Sequence, residues 1–275
     1  MKLPKAGAVA GVIVLALTAS GCGAGEEAKQ QKIAIGIKFD QPGLGLREDG
    51  KFTGFDVDVA TYVAKELGYK PEQIEFKQVY SSDRELMIQF NEVKFVVASY
   101  SINDKRKAKV DFAGPYFVAH QDLLIRSNEN EITKAEDLNK KRLCSVTGST
   151  SAENVKAKVA PKAELQELGG YSECLVALQD TTLDALTTDN SILAGYAAQP
   201  QNVGKFKLAN LNLSNEFYGI GLKKGDKDLQ KKINDALRKM VKDGSWDKFV
   251  QQNFGAAQTA AQYRHEPAPQ ITEGR

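Results

Sequence analysis

Arg106 stands five residues after Ser101 in the run Ala98-Ser99-Tyr100-Ser101-Ile102-Asn103-Asp104-Lys105-Arg106. An apolar strand predicted over residues 95–98 stops where hydroxyl and amide side chains begin. At the carboxyl end of a strand in an α/β sheet, side chains face the crevice where ligands bind. A guanidinium held there beside a serine hydroxyl can grip a carboxylate through two parallel charge-assisted bonds. The same run reads equally as a solvated charge cluster, and with no apolar periodicity to extend it Arg106 is expected in a loop. Lys38 follows Ile33-Ala34-Ile35-Gly36-Ile37, whose alternation marks a first strand, so it too sits at a strand's carboxyl end. Arg84 lies in Ser82-Asp83-Arg84-Glu85, a capping-box spacing that starts a helix. A cation in the first turn opposes the helix dipole, a small misfit that hints at an anion. Thr147-Gly148-Ser149-Thr150-Ser151-Ala152-Glu153 holds a second such spacing, Thr150-x-x-Glu153, where free N–H groups could serve an anion or simply start a helix. Asp189 follows a predicted strand over 183–188 and heads a helix over 191–198, where it could be only a cap.

The elements that must position these groups alternate strand and helix, which indicates an α/β architecture. Asp56 is the expected N-cap of a helix whose Val59, Val63 and Leu67 share one face. Further strands are predicted over 74–79, 123–125, 142–146 and 164–168, a helix over 172–179, and extended segments over 206–213 and 218–222. Leu229, Ile233, Leu237, Met240 and Val241 mark an amphipathic helix ending at Gly244. Trp246, Phe249, Val250 and Phe254 form a last apolar helical face, after which 256–275 reads as a loose tail.

Composition narrows the function classes. A net charge of +2 over 275 residues gives no electrostatic case for nucleic acid. Only two histidines, His120 and His265, leave little for a zinc site or a histidine-based triad. Gly43-x-Gly45 has no ensuing helix and is no nucleotide fingerprint, so neither cofactor nor metal is expected. Residues 1–22 carry Lys2 and Lys5, an apolar run over 8–17, and Thr18-Ala19-Ser20-Gly21-Cys22. That layout is a signal peptide whose apolar run is too short to span a bilayer. Its end resembles the bacterial lipobox, with Ala19 where leucine is commonest, which makes Cys22 the expected acylated anchor. Residues 23–31 then read as a tether.

The stretch Gly54-Phe55-Asp56-Val57-Asp58-Val59-Ala60-Thr61-Tyr62-Val63-Ala64-Lys65-Glu66-Leu67 resembles, at every defined position, the signature of the family 3 extracellular solute-binding proteins. These are the polar amino-acid receptors of ABC importers. Ser101-Ile102-Asn103-Asp104-Lys105-Arg106 and Val110-Asp111-Phe112-Ala113-Gly114-Pro115-Tyr116 resemble the segments that follow it in that family, in the same order. The likeness runs over residues 32–254.

The resemblance implies a two-lobed type II periplasmic-binding-protein fold with the ligand cleft between the lobes. Lobe 1 would comprise 32–115 and 219–255, lobe 2 would comprise 121–213, and hinge strands would cross at 116–120 and 214–218. Arg106 matches the arginine that pairs with a ligand α-carboxylate, and Ser101 the hydroxyl beside it. Ser99 sits where a backbone carbonyl takes the α-ammonium. Ser149 and Thr150 match the second-lobe turn that completes the carboxylate site, and Asp189 matches the aspartate that binds the ammonium. Glutamine receptors of the family carry an aspartate where this chain has Lys38, whereas acidic-amino-acid relatives have arginine. Arg84 likewise occupies a position that is cationic in relatives binding glutamate or aspartate. The expectation is a monomeric, non-catalytic receptor for an acidic amino acid, glutamate before aspartate, anchored to the bilayer through Cys22 at the extracytoplasmic face and serving an ABC permease. In that oxidising compartment Cys144 and Cys174, the remaining pair, should form a disulfide. The alternatives are a dehydratase-like enzyme on the same fold or an extracellular sensory domain.

Overall fold

The computed structural model describes residues 31–274, so the leader, Cys22 and all of the tether except Gln31 lie outside the described residues. The chain opens with β1 (Ile33–Ile37), in which Ile33, Ile35 and Ile37 are buried. A small antiparallel sheet of β2 (Asp40–Gln41), β3 (Gly45–Glu48) and β4 (Lys51–Thr53) leads into helix α1 (Phe55–Glu66). Gly54, just before α1, has φ 120°, and a Cβ there would stand 2.1 Å from the Leu44 carbonyl oxygen. Only glycine tolerates both the dihedral and that approach.

Next come β5 (Ile74–Gln78), α2 (Arg84–Gln89), β6 (Phe95–Val96), α3 (Asp104–Lys107) and the long β7 (Asp111–Arg126). The second half holds β8 (Arg142–Val146), α4 (Thr150–Asn154), β9 (Glu164–Leu168), α5 (Tyr171–Gln179), β10 (Ala185–Asp189) and α6 (Asn190–Ala197). β11 (Phe206–Leu208), β12 (Ser214–Leu222), α7 (Lys227–Lys242) and α8 (Ser245–Ala260) complete it. The strand order is β5-β1-β6-β12-β7-β10-β8-β9, with β11 on β7.

Two parallel groups make the two lobes of this α/β fold. β1 lies parallel to β5 and β6, and β8 lies parallel to β9 and β10. Parallel neighbours need crossover connections, which the intervening helices provide. β7 and β12 run between the groups and pair antiparallel from Ser214↔Gln121 to Leu222↔Asp111, with a register shift between Tyr218 and Ile220. The core gathers Phe55, Phe117 and Phe254, with the Phe117 and Phe254 rings 5.5 Å apart. α7 contributes Leu229, Ile233, Leu237 and Met240, while Val241 turns to solvent. α8 buries Trp246, Val250 and Phe254. Cys144 at β8 and Cys174 on α5 form a disulfide. No helix among the described residues is long and apolar enough to cross a membrane.

Several local expectations are corrected. Asp56 does not cap α1, because Gly54 holds that place and the Asp56 side chain turns inward. The capping box at Ser82 is not made; Asp83 precedes α2, and Ser82 Oγ bonds the Asp83 carboxylate instead. The second cap is shifted by one residue, since the Ser149 hydroxyl accepts from the Ala152 N–H. Arg106 is not in a loop: Asn103 caps the short α3 by accepting from the Arg106 N–H. The chain beyond Ala256 is not loose as far as Gly274. α8 continues to Ala260, Tyr263 and Ile271 are buried, and the Thr272 and Glu273 N–H groups donate to the Gly114 carbonyl. A segment without helical or strand periodicity can still be fixed by long-range contacts, which pattern reading does not register.

Candidate functional site

A small cavity lies where the carboxyl ends of both parallel groups converge. Lys38 (after β1), Arg84, Ser99 (after β6) and Arg106 face it from the first group, and Ser149, Thr150 and Asp189 face it from the second. Ser101 is brought near but does not line it; its carbonyl, rather than its hydroxyl, accepts from Arg106 Nη1 at 2.6 Å. A larger, more open pocket lies outside the cleft against Ile102, Pro115, Phe217 and Pro269, and none of the ionisable groups just named lines it. The chemistry is in the smaller one.

Three cations converge there. Lys38 is buried, and its Nζ donates to Ser81 Oγ at 3.0 Å. Burial, followed by the field of Arg84, pushes its ammonium down to about 7. Arg84 is only 2 % exposed, and its Nη1 donates to the Ala98 carbonyl at 3.1 Å and the Ser99 carbonyl at 3.4 Å. Burial and then Arg106 lower its guanidinium to about 10. Arg84 Nε has no hydrogen-bond partner among the described residues. Arg106 also donates from Nη2 to the Gly148 carbonyl at 3.0 Å, tying α3 to the turn before α4, and its Nε lies 3.7 Å from Glu85 Oε1.

The carboxylate at the end of β10 faces these cations. Asp189 Oδ2 accepts from Tyr218 Oη at 2.6 Å, whereas Oδ1 is buried without a partner among the described residues. Burial and then Glu216 push Asp189 up to about 8. A buried, unsatisfied oxygen is costly, and an ammonium would satisfy it while drawing the proton off the acid. Ser149 and Thr150 are already engaged: Ser149 caps α4, and Thr150 Oγ1 donates to Glu216 at 2.9 Å. The arrangement can therefore hold a small molecule that carries both carboxylate and ammonium. Among the described residues no group of three or more His, Cys, Asp or Glu could hold a metal ion.

Sequence reasoning missed part of the lining. Gln41, Ser81, Ser151, Tyr171 and Ile192 also face the cavity. Ser81 adjoins the Ser82-x-x-Glu85 spacing, and Tyr171 follows Gly169-Gly170 at a helix start, so a search for polar residues beside strand ends could have found both. Behind the lining, Asp56 accepts from the Ser99 N–H at 2.8 Å, from Ser99 Oγ at 3.2 Å and from Tyr116 Oη at 2.7 Å. These bonds hold Ser99 at φ 45°, a left-handed conformation for a residue with a side chain. No local signal marks such a role.

Residues 33–256 match the bacterial extracellular solute-binding proteins, family 3. The chain is 42% identical over 270 residues to the glutamate-binding protein GluB of Corynebacterium glutamicum, covering 91% of this chain and 90% of that one. It is 37% identical over 253 residues to the ABC transporter glutamine-binding protein GlnH of Bacillus subtilis, covering 86% and 91%. A solved structure of an ancestral arginine-binding protein bound to glutamine superposes with a TM-score of 0.76 at 35% identity, over 82% of this chain and 99% of that one. With the family matched over most of its length and the fold shared, this chain belongs to the bacterial extracellular solute-binding proteins, family 3.

Proposed function

We propose that this chain captures an acidic amino acid, L-glutamate ahead of aspartate, and delivers it to an ABC permease. The carrying observation is the charge arrangement of one small cavity: Lys38, Arg84 and Arg106 face Asp189, whose Oδ1 lacks a partner among the described residues. The α-carboxylate pairs with Arg106 and the α-ammonium with Asp189. The side-chain carboxylate lies between Lys38 and Arg84, where charge-assisted bonds offset its desolvation. Relatives named as glutamate-binding support this reading, and those named as glutamine-binding define its main competitor. One observation favours the competitor. A Lys38 held down to about 7 is partly neutral near pH 7, and a neutral amine can accept an amide hydrogen.

In this reading residues 32–115 and 219–255 form lobe 1, 121–213 form lobe 2, and 116–120 and 214–218 are the hinge. The receptor acts as a monomer without chemistry, and acylated Cys22 holds it at the extracytoplasmic face of the membrane. Calorimetric titration with glutamate, aspartate, glutamine and asparagine is the test. Glutamate should outbind glutamine by at least about tenfold, which is 1.4 kcal/mol. Equal affinity would sink the acidic assignment while leaving an amino-acid receptor, and turnover of any candidate would revive an enzyme.

A further inference from the structure

Tyr100 lies behind the cavity and takes no part in the ligand contacts described above. Its ring is fully buried between β6 and α3, with Phe112 packed edge-on at 4.8 Å. Two guanidinium groups meet it. The Arg84 Cζ is 4.1 Å from the ring centroid and the Arg106 Cζ is 5.1 Å away. Both distances fall within cation–π range. This arrangement is unusual in its charge balance. Two buried arginines repel each other, and a carboxylate between them would be the obvious neutraliser. Glu85 lies 3.7 Å from Arg106 and its field reaches Arg84 as well, but Arg84 makes no salt bridge among the described residues. An acid placed against Arg84 would stabilise the empty site but compete with an incoming carboxylate. An aromatic face attracts the guanidinium through its quadrupole and leaves the charge in place for the ligand.

We infer that Tyr100 is a positioning residue that holds Arg84 and Arg106 together in the cavity by the π-face of its ring, and so maintains the preference for a dicarboxylic over an amide ligand. This rests on the acidic-ligand reading for the preference, though not for the positioning. Without the ring, the two like charges separate. Arg84, held through one nitrogen, Nη1, on the Ala98 and Ser99 carbonyls, is the one released. Glutamate should then lose more affinity than glutamine, because the side-chain carboxylate loses its partner.

The test keeps shape constant and varies only the electrons of the ring. Tyr100→Phe is made first, followed by mono-, di- and trifluorophenylalanine at position 100, which withdraw density from the face stepwise. Glutamate and glutamine are titrated into each. Tyr100→Phe should keep the wild-type glutamate-to-glutamine ratio. Along the fluorinated series the ratio should fall steadily, by about tenfold in total, as expected for one buried cation–π contact. A purely packing role would leave the series flat, and a flat series overturns the proposal, as does a ratio that rises with fluorination. Tyr100→Leu gives a second arm. It should lower the ratio by a similar factor, and a Tyr100→Leu protein that folds and keeps the ratio also overturns it. If wild-type protein prefers glutamine, the acidic reading fails by itself. Glutamine affinity along the series then still reports on Tyr100 through Arg106 and the α-carboxylate, with a flat series again refuting the role.

Discussion

Asparagine in place of Asp189 should make glutamate affinity fall with rising pH, whereas methionine in place of Lys38 should make it rise. In the free protein burial holds Lys38 down to about 7 and Asp189 up to about 8, so near pH 7.5 both stand mostly uncharged. Bound glutamate reverses both states. Its side-chain carboxylate favours the ammonium of Lys38, and its own ammonium favours the carboxylate of Asp189. For Lys38 the complex has the higher pKa, so binding takes up a proton; affinity is fully present below about pH 7 and is lost above it. For Asp189 the complex has the lower pKa, so binding releases a proton; affinity is fully present above about pH 8 and is lost below it. Each contributes about tenfold per pH unit in its window. In the wild type the two slopes oppose one another, so affinity should be nearly flat between pH 7 and 8. Asp189→Asn removes one slope and leaves a fall of about tenfold per unit above pH 7. Lys38→Met leaves the opposite, a rise of about tenfold per unit up to pH 8. Calorimetry in buffers of different ionisation enthalpy counts the protons directly. It should read close to zero for the wild type at pH 7.5, uptake for Asp189→Asn at pH 8, and release for Lys38→Met at pH 7. Glutamine on wild-type protein should behave like glutamate on Lys38→Met, since an amide draws no proton to the lysine. Slopes of the same sign in the two variants would refute the assignment of the two charges.

Three further outcomes follow from the same contacts. Arg106→Ala should weaken glutamate by roughly 2–5 kcal/mol in a calorimetric titration, because a desolvated carboxylate loses its partner; Arg106→Lys should still weaken it, since an ammonium cannot reproduce the planar fork. Lys38→Asp should erode the preference for glutamate over glutamine, while Asp189→Ala should weaken both ligands together, as competition titrations would reveal. Replacing Cys144 and Cys174, 30 residues apart, should lower the unfolding free energy by about 2–4 kcal/mol in denaturant melts; two titratable thiols in unreduced protein would rule the bond out.

Much of this site was legible as a one-dimensional pattern. The alternation of Ile33, Ile35 and Ile37 placed Lys38 at a strand end, and the polar break after the 95–98 stretch placed Ser99 at another. The charges of Lys38, Arg84, Arg106 and Asp189 belong to the residue types themselves, and Arg106 lies in one of the motifs that resemble the family, in the family's order. The helix caps were less legible. Ser149 rather than Thr150 caps α4, and Gly54 rather than Asp56 precedes α1, because which of two adjacent polar residues turns toward the backbone depends on what each meets elsewhere. Asp56 meets Ser99 and Tyr116, 43 and 60 residues away along the chain.

What the sequence alone determined is therefore most strands of the large sheet, most helices, and the identity of the groups able to hold a zwitterion; the small sheet of β2, β3 and β4 and the full reach of β7 over Asp111–Arg126 were not legible. Periodicities of two and 3.6 are local, and residue charge needs no fold to be read. The tertiary structure decided how those groups are used. It used the carbonyl of Ser101 rather than its hydroxyl, set Arg106 on a helical turn bridged to Gly148, and brought Ser81, Gln41 and Tyr171 into the lining. It also set two guanidinium groups over the Tyr100 ring and left Asp189 Oδ1 without a partner among the described residues. Each of these depends on burial and on contacts between segments distant in sequence, where desolvation converts ordinary lysine and aspartate side chains into groups that titrate near neutrality.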